Sequence, residues 1–178
     1  MKNFTVIAID GGAGTGKSTT AILLSRQFNF LHVDTGSHYR AITAALLDSD
    51  ISPVDAAESV NLNKIKLNSE ISGKKSFITI NGFGFQQNIL RSDKINSSVS
   101  SYASIPSIRL HLFNYQKSQV ELARSNHYSG LVMEGRDIGT VILPNADLKL
   151  ICFPYAGGSV STYGTWVEHL PVNVELSI

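Results

Sequence analysis

The chain has 178 residues, enough for one domain with a core of its own, and 43% of them are hydrophobic, an ordinary share for a globular protein. Fifteen Lys and Arg against fourteen Asp and Glu leave a formal charge of +1, so no overall field draws the chain to nucleic acid or an anionic membrane, and any anion site must be local. The N-terminal apolar run is too short, and reaches Asp10 too soon, to be a signal peptide or a membrane span, and no later segment qualifies.

In chain order, Phe4–Ile9 reads as a strand, and the glycine-rich stretch Gly11–Ser18 leads into a helix over Thr19–Phe28 whose apolar positions are Ile22, Leu23 and Leu24. Phe30–Val33 is a short strand ending at Asp34, followed by a helix over Tyr39–Leu47 and another from Ser52-Pro53 to about Val60. Lys64–Leu67 and Ser76–Ile80 read as paired strands around the turn Ser72–Lys75, with Asn81-Gly82 as a further turn. Helices are expected over Arg91–Tyr102 and Ser107–Arg124, and buried strands over Leu131–Met133 and Leu148–Phe153. The lone cysteine, Cys152, lies in the last of these strands as a buried residue; it excludes an internal disulfide framework and fits a reducing cytoplasm.

Gly11-Gly12-Ala13-Gly14-Thr15-Gly16-Lys17-Ser18 matches GxxxxGK[ST] without a mismatch, between a strand and a helix. That context aims backbone N–H groups and the positive end of a helix at one point, which suits a polyphosphate. Gly11, Gly14 and Gly16 are spaced to let the backbone turn and approach the phosphates; Lys17 would reach the β- and γ-phosphates, and Ser18 offers a hydroxyl to Mg²⁺. Alternating strands and helices around such a loop predict an α/β fold with a doubly wound parallel sheet, its ligands at the carboxyl ends of the strands and the β insertion near 64–85 at the edge. Asp34-Thr35-Gly36 and Glu134-Gly135-Arg136-Asp137 each follow a strand, so both face the crevice that holds the phosphate loop. Asp10 and Asp34 have two readings, as organisers of Mg²⁺ or its water shell and as caps of the following loops. His32, His38, His111, His127 and His169 show no HxxxH or HExxH spacing, so a protein-ligated metal is not expected.

The ordered series Ile9-Asp10-Gly11 through Thr19, Asp34-Thr35-Gly36 with Tyr39-Arg40, Asn81-Gly82, Ile89-Leu90-Arg91, Ser100 with Arg109, and Met133 through Val141 followed by Leu143-Pro144-Asn145-Ala146-Asp147 resembles the bacterial cytidylate kinases over about residues 4–152. The resemblance implies a P-loop nucleoside monophosphate kinase fold and transfer of the ATP γ-phosphoryl to CMP or dCMP, with Mg²⁺. It implies that Lys17 and the loop residues 11–19, Thr19 included, hold the donor, and that Arg40 and Arg136 hold the acceptor phosphate. Arg109, Asp137 and Ser100 would contact the base, although Ser100 also reads as a plain polar helix position. Lys17, Arg136 and Asp137 are the candidate catalytic residues; Asp34, Arg40, Ser100, Arg109, Arg136 and Asp137 are the candidate substrate contacts. The substrates implied are small molecules, with no nucleic acid or membrane partner, in a cytoplasmic monomer.

The same family continues past this point into an arginine-rich lid, a further strand and a helix, whereas after Asp137 the only Lys or Arg here is Lys149. A nucleotide-binding remnant without turnover is therefore the alternative expectation, because an arginine supplied to the transferring phosphoryl is worth roughly 10³–10⁵ in rate in phosphoryl-transfer systems. Cys152 through Ser159, with Tyr163 and Trp166–Pro171, instead resembles the opening of a type II thioesterase, an α/β-hydrolase. The expectation is a kinase-like domain over 1–152, lacking the lid and the last strand and helix, joined to a thioesterase-like fragment over 153–178. No GxSxG elbow occurs in the sequence, so thioesterase chemistry is not expected.

Overall fold

Residues 4–57 and 65–153 are described by a computed structural model. The elements run β1 (Thr5–Gly11), α1 (Lys17–Phe28), β2 (Phe30–Asp34), α2 (Thr35–Asp48), α3 (Pro53–Ala57), β3 (Leu67–Ser72), β4 (Lys75–Ile80), β5 (Phe83–Gly84), α4 (Gln87–Leu90), α5 (Asp93–Ala103), α6 (Pro106–Ser125), β6 (Gly130–Gly135), a π-helical turn (Ile138–Ile142) and β7 (Leu148–Cys152). They build one sheet in the order β3-β4-β2-β6-β1-β7, with β5 paired to β4. The pairs β2–β6, β6–β1 and β1–β7 are parallel, as the alternation of strand and helix requires. The β insertion lies at the sheet edge and is continuous with it: β4 runs parallel to β2 at His32↔Lys75 and Val33↔Ser76, and β3 and β5 flank β4 antiparallel.

Alternation along the central strands decides what each face packs against. Ile7, Ile9, Phe30 and Val132 turn to the α1 side, where Ala21 and the half-buried Leu24 meet them. Ala8, Leu31, Val33, Leu131 and Met133 turn to the opposite side, against Val120 and Ala123 of α6 and Ile138 and Ile142 of the π-helical turn. A third cluster joins α2 to α5 and α6 through Ile42, Leu46, Ile95, Tyr102, Ile108 and Leu112. Tyr102, almost wholly buried, donates its hydroxyl to the Ile51 carbonyl at 2.7 Å, which satisfies the polar end of an otherwise apolar side chain.

Several sequence expectations shift. Helix α1 buries Ala21 and Ser25, whereas Ile22 and Leu23 face outward; small residues let the helix lie close to the sheet, and the Ser25 hydroxyl donates to the Phe30 carbonyl at 2.9 Å. Helix α2 starts at Thr35, four residues before the expected start, because Asp34 caps it by accepting from the Ser37 N–H at 3.2 Å. The strand expected over Lys64–Leu67 lies further on, at Leu67–Ser72, where Leu67, Ser69 and Ile71 alternate inward and Ser72 pairs with Lys75 around a two-residue turn. The helix expected over Arg91–Tyr102 runs from Asp93 to Ala103, after the extended Ser92, and a short helix not expected from the sequence, α4, precedes it and is closed by Arg91. Strand β7 is not buried: as the outer strand of the described sheet it leaves Leu148, Ile151 and Phe153 exposed, and Cys152 is only half-buried. Apart from Phe153, the thioesterase-like stretch lies outside the described residues, as does the end of the helix expected to reach Val60.

His38 of α2 is fully buried with its ring edge-on to Tyr115, and neither ring nitrogen has a hydrogen-bond partner among the described residues. Burial lowers its pKa to about 4, with Asp34 raising it and Lys75 lowering it by smaller amounts. The unfolded chain, with an ordinary histidine near 6.5, takes up the proton first as pH falls. Stability is therefore complete above pH 6.5 and declines toward pH 4. Between pH 7 and pH 4.5 this group should cost about 2–3 kcal/mol. Urea unfolding at the two pH values should show that loss in the wild type, and His38→Leu should remove that component of it.

Candidate functional site

Because β1, β2 and β6 are parallel and paired in register, their carboxyl ends come level, with Asp10 opposite Gly135 and Asp34 opposite Glu134. The segments that leave those ends surround a cleft of about 570 Å³. Such a crevice, beside the point where strand order reverses, is where a doubly wound sheet binds its ligands.

The phosphate loop forms the first wall. Gly16 stands before α1 at φ 83°, a left-handed conformation that strains any residue with a Cβ. The first helical bond runs from the Thr20 N–H to the Gly16 carbonyl at 3.0 Å, so the N–H groups of residues 17–19 have no partner within the helix. The Thr15 hydroxyl donates to the Gly12 carbonyl at 3.0 Å, and the Lys17 ammonium donates to the same carbonyl. Gly11, Gly12, Ala13, Gly14, Lys17 and Ser18 line the cleft, whereas Thr15, Gly16 and Thr19 stand outside its wall.

Three carboxylates stand at the strand ends, and each closes on the fold. Asp10 accepts from the N–H groups of Ile138 and Gly139 at 2.6 and 2.8 Å, so both of its oxygens serve the π-helical turn. Asp10 thus caps a segment 128 positions away rather than the loop that follows it. Asp34 caps α2 and also lines the cleft. Glu134, almost fully buried, accepts from the Ser18 hydroxyl at 2.7 Å and lies 2.8 Å from His32 Nε2. Sequence reasoning placed Glu134 in a site-facing cluster but gave it no task, and gave His32 none either; a buried acid at the end of a buried strand is the signal that could have found the pair.

Arginines dominate the remaining walls. Arg40 is half-buried, and its Nε, buried, has no partner among the described residues; its head lies over Gly36, where a Cβ would stand 3.1 Å from Nη1. Arg136 is exposed, lines the cleft and makes no hydrogen bond or ion pair among the described residues. Arg109 reaches Asp137 at 3.3 Å in a half-exposed pair. Asp137 itself, at φ 59°, stands off the cleft wall and meets the site through Arg109. Ser100, exposed on α5, lines the cleft together with Ser104. Arg91 and Tyr39 also line it, without an assigned task in the sequence. Burial holds the Tyr39 hydroxyl above its ordinary range, Arg109 opposes this and Asp137 adds to it, which sets Tyr39 beside that ion pair.

Lys17, Arg40, Arg91, Arg109 and Arg136 thus face two carboxylates, Asp34 and Glu134, across one cleft. This excess of positive charge, together with the unpartnered Arg40 Nε, fits a polyanion. Among the described residues no three His, Cys, Asp or Glu side chains converge as metal ligands. The Ser18 hydroxyl oxygen suits a hard cation, and Mg²⁺ commonly takes few protein ligands and completes its shell with phosphates and water. ATP and Mg²⁺ therefore both fit the donor side.

A phosphate loop at the end of the first strand of a mainly parallel α/β sheet, facing an arginine clamp, defines a P-loop nucleotide-binding protein. The family profile described as Cytidylate kinase matches residues 7–155. The chain is 36% identical to a cytidylate kinase of Fusobacterium nucleatum over 97% of its own length and 73% of that protein. It is 39% identical to one of a Geobacillus species over 84% and 64%. A bifunctional pantoate ligase/cytidylate kinase of Prochlorococcus marinus is 41% identical over 84% of the chain and 28% of that protein. The chain belongs to the cytidylate kinase family and has its P-loop nucleoside monophosphate kinase fold, and it spans about 60–73% of the length of the single-function relatives it matches.

One glycine fixes how close two walls stand. A Cβ at Gly135 would lie 2.0 Å from Thr35 Oγ1, whose hydroxyl donates to the Glu134 carbonyl at 2.8 Å. Gly135→Ala should destabilise the protein by about 1–3 kcal/mol, the range for overpacking a tight site, read as a lower urea midpoint at unchanged slope.

Proposed function

We propose that this chain is built for transfer of the γ-phosphoryl group of ATP to CMP or dCMP, giving ADP and (d)CDP. The observation that carries the reading is the opposition of an intact phosphate loop to Arg40 and Arg136, two arginines without partners among the described residues, across one cleft. Two polyanions repel, so bringing them together needs fixed positive charge, and the excess of cations on the cleft walls supplies it.

The phosphate loop amides and Lys17 hold the donor phosphates, while the planar guanidinium groups of Arg40 and Arg136 clamp the acceptor monophosphate. An oxygen of that monophosphate forms a bond to the γ-phosphorus as the bond from phosphorus to the β,γ-bridging oxygen breaks, and ADP leaves with that electron pair. Mg²⁺ taken up with ATP would supply neutralising charge for the transferring phosphates, and Ser18 is the loop residue that would hold it. Arg109, oriented by Asp137, and Ser100 meet the base on the acceptor side. A half-exposed ion pair adds little stability, so the Arg109–Asp137 pair is better understood as presenting donors and acceptors than as bracing the fold.

Release of ADP, followed by a coupled assay with CMP, dCMP, UMP and AMP as acceptors, tests the reaction. Turnover should appear with CMP and dCMP and be weakest with AMP; nucleotide binding without ADP release would show a binding protein instead. Lys17→Ala should abolish acceptor-dependent ADP release. Arg136→Ala should raise KM for CMP by about 10–100-fold, the worth of charge-assisted hydrogen bonds, and leave the Kd for ATP within about twofold.

A further inference from the structure

The contact between His32 and Glu134 touches no wall of the cleft on the His32 side, yet it ends on a residue of the phosphate loop. Both side chains are about 3% exposed, and Nε2 of His32 lies 2.8 Å from Oε1 of Glu134. The second carboxylate oxygen, Oε2, accepts from the Ser18 hydroxyl at 2.7 Å. We propose that His32 is a positioning residue for the metal-binding end of the phosphate loop, acting through Glu134 to set the direction of the Ser18 hydroxyl. This rests on the reading of that loop as the Mg²⁺·ATP site.

Register explains why these residues can meet. His32 is level with Val132 across the β2–β6 pair, so Glu134, two residues further along β6, shares the face of Val132. That face is the one covered by α1, which carries Ser18 near its start. The imidazole therefore reaches diagonally toward the carboxyl end of the sheet and meets the carboxylate beneath the loop.

The polarity of the chain follows from its donor inventory. An ionised carboxylate only accepts, so His32 Nε2 must carry the proton in its bond to Oε1. A serine hydroxyl has one hydrogen and two lone pairs. With the hydrogen committed to Oε2, the lone pairs of Ser18 point away from the carboxylate, as coordination of a hard cation requires. Each oxygen of Glu134 is held by a donor from a different element, His32 from β2 and Ser18 from α1. Removing the His32 N–H leaves Oε1 a buried acceptor without its partner, and the carboxylate recovers one by turning toward the loop, which frees the Ser18 hydroxyl to rotate. Partners behind a metal ligand typically change metal affinity by about 10–100-fold.

The experiment measures the gain in ATP affinity that Mg²⁺ confers, by calorimetry with Mg²⁺ and with EDTA, for the wild type, Ser18→Ala, His32→Leu and His32→Gln. His32→Leu should lower that gain by about tenfold or more while metal-free ATP affinity stays within about twofold, and His32→Gln, which restores an N–H donor, should recover most of it. A full Mg²⁺ gain in His32→Leu beside a lost one in Ser18→Ala overturns the proposal and leaves the nucleotide site standing. An equal fall with and without Mg²⁺ also overturns it, because that is the mark of a purely structural role. Absence of ATP binding in the wild type overturns the underlying reading instead. Should His32→Leu not fold, imidazole ¹⁵N spectra of the wild type decide the matter: Nε2 must be protonated and must shift with Mg²⁺·ATP but not with ATP and EDTA, and a bare or unmoved Nε2 overturns the proposal.

Discussion

Glu134 is the side chain on which the geometry of the cleft depends. It lies almost fully buried at the end of the central strand β6, and it binds β2 through His32 and the start of α1 through Ser18. Its own carbonyl accepts from Thr35 at the start of α2. A charge withdrawn from water is costly unless each of its oxygens is met by a donor, so those contacts are conditions for the strand to end where it does. Asp10 and Asp34 obey the same rule at the neighbouring strand ends, one closing on the π-helical turn and the other on α2. Acidic side chains thus serve the frame, and the positive charge of five basic side chains is left to dominate the cavity.

The arginines divide by what the fold does with them. Arg109 stands in a half-exposed pair with Asp137, which gives its guanidinium a fixed direction. Arg40 is held over Gly36 with a buried nitrogen that has no partner among the described residues, a state that a protein sustains at a cost of about 1–3 kcal/mol. An anion held in the cleft would give that nitrogen the acceptor it lacks among the described residues. Placement on α2, whose start is pinned by the Asp34 cap, ties the backbone of Arg40 to a fixed helix.

What could be read from the sequence was what is local or periodic. The phosphate loop was legible because eight consecutive residues determine it, and the parallel sheet because strand and helix alternate around it. Family likeness pointed to Arg40, Arg109 and Arg136, which the structure brings to one cleft, and to Asp137, which it keeps behind Arg109. The start of α2 was missed because Asp34-Thr35-Gly36 reads equally well as a loop until the aspartate is seen capping. Arg91 stood at the start of an expected helix and lies instead between two helices, α4 and α5. The His32–Glu134–Ser18 contact was out of reach for a different reason: it is set by cross-strand register, and no spacing in the chain encodes which residue of β2 stands level with which residue of β6. The exposure of β7 was misjudged because an apolar run looks the same at the middle and at the edge of a sheet.

Strand β1, which delivers the phosphate loop, is flanked on both sides by strands from the far end of the sequence, with Thr5 paired to Gly130 and Ile7 to Leu148. The consequence is one of timing. The β3–β4 hairpin closes over a short chain distance, whereas the strand that precedes the phosphate loop has no strand partner until β6 has been synthesised. On the ribosome, the phosphate loop emerges well before β6 and is therefore among the last of these elements to take shape. A nucleotide that binds only the finished loop stabilises chains whose sheet has closed and gives nothing to those still open, so ligand and folding favour the same molecules.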